Sequence, residues 1–208
     1  MKLVIFGATG GTGRELVSQA LDRGHAVTAF ARDPAPLGAR EGLTTMAGDV
    51  LDRAAVERGV AGQDAVLSVI GKPATSPGRL RSEGTANIVR AMQRSGPRRL
   101  LSMSTIGIGE TRRQLPPLYR YALVPTLLRR TFAEHARQEA VVRSSELDWT
   151  IVRAGVLTDN PATGRFQHGF PPSDRSVEVE ISRGDVADFM LGQIGESTYV
   201  RAVPSVSY

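Results

Sequence analysis

Near the amino end, Gly7-Ala8-Thr9-Gly10-Gly11-Thr12-Gly13 sets three glycines at G-x-x-G-x-x-G spacing between two hydroxyls. The run follows the apolar stretch Lys2-Leu-Val-Ile-Phe6 and opens a helical pattern with Leu16, Val17, Ala20 and Leu21 on one face. In a strand–turn–helix context each glycine has a task. Gly7 permits a tight turn, Gly10 lets the backbone approach a pyrophosphate, and Gly13 lets the helix pack closely on the strand. The free amides of the first helical turn then face the phosphates, with Thr9, Gly11 and Thr12 completing the loop. The spacing is one residue longer than the basic dinucleotide fingerprint, and the competing reading is a glycine-rich turn that binds nothing.

The end of the second strand distinguishes two dinucleotides. An acidic residue there would hold the ribose 2′-hydroxyl of NAD, whereas an arginine accommodates the 2′-phosphate of NADP. The chain reads Phe30-Ala31-Arg32-Asp33-Pro34. Arg32 offers a planar fork matched to a phosphate, and Arg14, just after Gly13, is a second candidate for it. Asp33 argues for NADH, but ahead of a proline it reads as a turn residue. The expected cofactor is NADPH, with NADH second.

Charge points to a second feature. The formal net charge is +5, and the segment 106–131 accounts for +4 of it through Arg112, Arg113, Arg120, Arg129 and Arg130 against Glu110. Pro116, Pro117 and Pro125 preclude one unbroken helix there. A long irregular segment in a compact domain is commonly a lid or binding loop. In that reading Leu115, Leu118, Tyr119 and Tyr121 cover a flat ring, while Arg112, Arg113 or Arg120 meets its phosphate or carboxylate. The expected partner is a small-molecule acceptor, anionic in this reading. The alternatives are a basic surface that aids solubility and an interface with another subunit. Nucleic acid is not expected, because no recognition motif accompanies the basic residues.

Other chemistry is narrowed by composition. The chain has no cysteine and only three histidines, His25, His135 and His168, far apart in sequence, so no metal site is expected. His135 reads as an ordinary surface or core histidine and Trp149 as core packing. No apolar run is long enough to span a bilayer. No secretory pattern precedes the first strand, so a soluble cytoplasmic protein, a monomer or small homo-oligomer, is expected.

Elements that must position these residues alternate along the 208-residue chain. Apolar runs at 2–6, 26–30, 43–47, 65–70, 99–103 and 149–152 are separated by helical patterns near 11–23, 53–60, 83–94 and 132–144. Ser182 to Asp185 has capping-box spacing before a last helix. The βαβ rhythm predicts an α/β class: one Rossmann-type, doubly wound, mostly parallel sheet flanked by helices, over a single domain 1–208. The segments 106–131 and 159–176 would lie beyond the carboxyl ends of strands, where such sheets bind ligands.

GATGGTG at 7–13, Arg32, Gly48-Asp49-Val50, Val60-Ala-Gly-Gln-Asp-Ala-Val66, Trp149-Thr-Ile-Val-Arg153 and Ile181-Ser-Arg-Gly-Asp-Val-Ala-Asp188 together resemble the atypical short-chain dehydrogenase/reductases of the NmrA-like group. Within it they are most similar to the flavin reductase or biliverdin-IXβ reductase branch. The segment 106–131 matches poorly. The resemblance implies that Asp49 and Val50 sit at the adenine and Gly71 near the nicotinamide ribose. It also implies that a hydroxyl after the fifth strand, here Thr105 with Ser104 adjacent, lies near the nicotinamide. The competing reading is that both hydroxyls only cap the strand end and fix the loop. Two departures stand out. The Tyr-x-x-x-Lys pair of the main branch is absent, since Leu123 follows Tyr119 and Pro125 follows Tyr121 at that spacing, and the lysines are Lys2 and Lys72. The branch's histidine after the sixth strand is here Val156. The implied activity is hydride transfer from NADPH to a planar conjugated acceptor (flavin, quinone or bilin-like). The alternatives are an NADP(H)-binding redox sensor and a biosynthetic tailoring reductase or cyclase.

Overall fold

The computed structural model describes residues 1–71, 78–174 and 176–208. β1 (Lys2–Phe6), β2 (Ala26–Ala31), β3 (Leu43–Ala47), β4 (Ala65–Ser68), β5 (Arg99–Thr105) and β6 (Asp148–Ala154) pair in parallel. The order β3-β2-β1-β4-β5-β6 is that of a doubly wound sheet, extended by β10 (Ser205–Ser207) and β8 (Gln167–His168). β10 runs parallel to β6 and β8 antiparallel to β10. β7 (Val156–Thr158) and β9 (Glu180–Ser182) form a separate parallel pair.

The alternation of side chains along β1 explains the layers. Leu3 and Ile5 enter one core with Leu16, Val17 and Ala20 of α1 (Gly11–Asp22) and Val186, Ala187 and Met190 of α5 (Arg183–Gly192). Val4 and Phe6 enter the other, with Val56 and Val60 of α2 (Arg53–Val60), Ile88 and Met92 of α3 (Leu80–Ser95) and Val142 of α4 (Arg129–Arg143). Helices on both faces are why the strands read as continuous apolar runs rather than alternating ones. The last helix begins as its spacing predicts: the Ser182 hydroxyl accepts from the Asp185 amide at 3.0 Å.

Three features depart from the sequence expectation. β5 continues through Ser104 and Thr105 instead of ending at Met103, because its pairing with β6 runs to Thr105 opposite Ala154. The segment 106–131 is not structureless, holding a 3-10 turn at Gly109–Gln114, a π-helical turn at Tyr119–Leu123 and the start of α4. The two- and three-residue strands β7 to β10 are too short to show a periodic pattern. The order reverses between β1 and β4, so the crevice at their carboxyl ends is the ligand site of this architecture.

Candidate functional site

The glycine loop leads from β1 across the carboxyl end of β4. Gly7 has φ +84°, and a Cβ there would lie 2.8 Å from the Val69 carbonyl oxygen. A Cβ on Gly13 would collide with the Gly7 carbonyl oxygen and stand 2.8 Å from the Ala8 backbone. Gly10 differs: its backbone is extended, and a Cβ would meet only the Gly7 oxygen, at 3.3 Å. Gly10 caps α1 without any side-chain hydrogen bond, and no acidic residue stands in the first turn. The helix therefore presents uncompensated amides and the positive end of its dipole to the crevice.

That crevice, about 260 Å³, is lined by Gly7, Thr9, Gly10, Arg32, Asp49, Val50 and Gly71 among others. Seven residues singled out from sequence thus converge on one cavity from four strand ends. Thr12 is buried behind it. Arg14 is exposed, its Nε donating to the Thr9 carbonyl at 3.1 Å. Gly11 lies under Arg183, whose Nε a Cβ would approach to 2.5 Å, while Arg183 itself pairs with Asp159 at 2.8 Å. Arg32 is exposed at the rim and makes no hydrogen bond or ion pair with another described residue. Asp33 accepts from the Ala35 amide at 3.1 Å, the turn role its proline neighbour suggests.

The Asp49-Val50 corner is held from below. Asn87 Nδ2 donates to the carbonyls of Val50 (3.1 Å) and Leu51 (3.2 Å), and Gly84 leaves room for Val50, whose Cγ1 a Cβ would meet at 2.8 Å. Sequence reasoning passed over Asn87. Its only signal was a polar residue next to the apolar pair Ile88-Val89, in a helix that also buries Ser82 and Thr85.

Around the end of β5 the structure contains a buried polar network that sequence reasoning also missed. Ser104 is 3% exposed, donates to Glu139 Oε1 at 2.8 Å and lies 3.5 Å from His135 Nδ1. Arg153, directly across from Ser104 on β6, is 2% exposed. It grips Glu139 through Nε (2.9 Å) and Nη2 (2.8 Å) and reaches Glu110 through Nη1 (2.6 Å). Burial, reinforced by the Arg81 charge, pushes His135 down to about 3 despite a hydrogen bond with Gln138, so its imidazole is neutral at ordinary pH. Burial raises the Glu110 carboxyl, but its own backbone amide and Arg153 outweigh that and hold it below the usual range. Strand alternation puts Thr105 on the opposite face from Ser104. It is half-buried, and its hydroxyl donates to the Ile106 carbonyl at 3.2 Å.

The two irregular segments meet beyond this network. Arg112, Arg113, Arg120 and Tyr121 line an open groove with Pro172 and Ser173, and the Arg120 guanidinium lies 5.1 Å from the Tyr121 ring centre. Tyr119 is not part of that lining: it packs beneath, on a small core of Ile106, Leu115, Val124 and Val179. The groove and the crevice share no lining residue among those described.

Comparison with known proteins agrees with this geometry. Residues 7–197 match the family described as NAD(P)H-binding. An uncharacterized chloroplastic protein of Arabidopsis thaliana is 32% identical over 199 residues, covering 90% of this chain and 69% of that protein. A 3-diazoavenalumate denitrifying reductase of a Streptomyces species is 33% identical over 187 residues, 81% of this chain but only 60% of the longer relative. An anaerobilin reductase structure from Escherichia coli O157:H7 superposes with TM-score 0.80 at 21% identity, over 100% of this chain and 97% of that one. Among the described residues no helix is long and apolar enough to cross a membrane. The chain belongs to the NAD(P)H-binding family.

Proposed function

We propose that the protein uses NADPH to reduce a planar conjugated acceptor of the flavin, quinone or bilin class, and that the acceptor is anionic. The carrying observation is what the nicotinamide end of the crevice lacks. Among the described residues no titratable side chain there is poised to exchange a proton. His135 is neutral and buried, Glu139 is locked against Arg153, and neither tyrosine of the lid has a lysine four residues on. An alcohol–ketone reaction needs such a group. A conjugated ring needs only hydride, with its remaining proton drawn from water.

NADPH, when bound, supplies the hydride. The chain contributes position and exclusion of water. The open face of Gly10 and the uncapped amides of α1 suit the pyrophosphate, and Arg32, without a partner among the described residues, suits the 2′-phosphate. Thr105 is the hydroxyl best placed by strand direction to orient nicotinamide or acceptor, since Ser104 is committed to Glu139. Arg112, Arg113 and Arg120 supply the positive field for the acceptor's anionic group.

Arg32→Ala should weaken NADPH about tenfold or more and leave NADH nearly unchanged, because a charge-assisted bidentate contact is worth roughly 1.5–3 kcal/mol. Titration of nicotinamide fluorescence reads both constants, and equal losses would remove Arg32 from the 2′-phosphate. The acceptor reading is tested by NADPH consumption with FMN and riboflavin, which share a ring and differ by a phosphate. FMN should show the lower KM at low salt, with the gap shrinking as salt rises and vanishing in Arg112→Glu/Arg113→Glu. Equal KM values at low salt would mean that the arginines do not meet the acceptor. No turnover with flavins or quinones, while NADPH still binds, would overturn the reductase reading.

A further inference from the structure

Beside the groove at Arg112, Arg113, Arg120 and Tyr121, the same segment exposes a region around Leu127 that the reductase reading leaves unused. Among the described residues, five large hydrophobic side chains are exposed, and three of them, Leu118 (63%), Tyr121 (70%) and Leu127 (61%), fall between Leu115 and α4. Leu127 shares a shallow depression with Pro125, Arg129 and Arg130. Neither Arg129 nor Arg130 pairs with a described carboxylate, and Glu110, the segment's one acid, is held by Arg153.

The two arginines occupy the first turn of α4, which has no acidic residue and no side-chain cap. Cations at that end oppose the helix dipole, so the helix itself gains nothing from them. Their benefit must come from outside the helix. The rest of the chain carries a net charge of only about +1, so the positive field is concentrated around these apolar side chains.

We propose that this face, centred on Leu127, Arg129 and Arg130, docks on an anionic lipid surface. An exposed leucine beside Pro125, with two unpaired arginines next to it and no acid of the segment left free, suits shallow insertion at a headgroup boundary while the cations meet lipid phosphates. A second copy of the chain is disfavoured by the same charges, because an isologous contact would bring two +4 segments together. A stable protein interface needs a contiguous patch of about 800 Å² per partner, whereas the large hydrophobic side chains exposed here among the described residues are only three.

The test is co-sedimentation of the whole protein with vesicles of phosphatidylcholine, alone or mixed with phosphatidylglycerol. The mixed vesicles should retain the protein at low salt and lose most of it at about 0.5 M salt, and phosphatidylcholine alone should leave it in the supernatant. Arg129→Glu/Arg130→Glu should reduce binding by at least about 25-fold, from about fivefold for each lost cation. Leu127→Ser, which changes no charge, should reduce it about fivefold or more. NADPH affinity and melting temperature should be unchanged in both, showing that the fold and the cofactor site are intact. Equal retention by the two vesicle types would overturn the proposal. So would indifference to Leu127→Ser, which would leave only diffuse attraction of a basic protein. If light scattering instead shows an oligomer that Leu127→Ser dissociates, the surface belongs to a second copy.

Discussion

Gly10→Val should abolish NADPH binding while leaving the protein folded. Valine at position 10 adopts the extended backbone found there, and its Cβ would meet one carbonyl oxygen at 3.3 Å, a contact relieved by a small shift. Its two methyl groups would fill the mouth of the crevice, where the amides of α1 are exposed. The expected loss is at least about 100-fold in affinity, or roughly 2.7 kcal/mol, with a melting temperature within a few degrees of the parent. Gly13→Val supplies the contrast. Three residues later, any side chain collides with the Gly7 carbonyl and the Ala8 backbone, so α1 would be forced off β1 and the protein itself should be destabilised. Calorimetry together with cofactor titration reads both effects. A Gly10→Val protein that binds NADPH normally would place the pyrophosphate elsewhere, and equal unfolding by the two variants would remove the distinction between them.

These two glycines illustrate what was legible from sequence. Gly7 and Gly13 are demanded by local geometry, a positive φ and a close backbone approach, and such demands leave a spacing pattern. The runs that became β1, β4 and β6 were legible for a related reason: burial on both faces removes the polar alternation. Residues whose role comes from distant partners were not legible. Arg183 covers Gly11 from more than 170 positions away, and Asn87 braces Val50 from 37 positions away. Arg153, which follows the apolar run 149–152, is among the largest fully buried side chains. Tyr119 and Tyr121 looked equivalent as ring-covering residues, and only the π-helical turn separates them into a packed side chain and an exposed one.

The buried network gives the second large effect. Glu139→Ala should destabilise the protein by about 3–5 kcal/mol, because it strands the Arg153 guanidinium inside the fold. Arg153 would keep only Glu110, whose side chain is 57% exposed and whose contact is therefore screened. Ser104 would lose its acceptor as well. For a chain of this length the cost corresponds to a melting temperature lower by roughly 6–20 °C. The penalty comes from the unpaired charge rather than from the worth of the pair, so removing both partners should hurt less. Glu139→Leu/Arg153→Met should recover most of the loss, since well-packed apolar replacements of buried ion pairs are often near neutral. Glu110→Gln should cost at most about 1 kcal/mol in stability. It would also release the 3-10 turn that carries Arg112 and Arg113 from its anchor on β6. Its signature is therefore a raised KM for FMN at nearly constant melting temperature. A Glu139→Ala protein that loses less than about 1 kcal/mol would show that water reaches Arg153. In that case the 3-10 turn at Gly109–Gln114 would have no rigid attachment through Glu110, and the Glu110→Gln effect on KM should vanish with it.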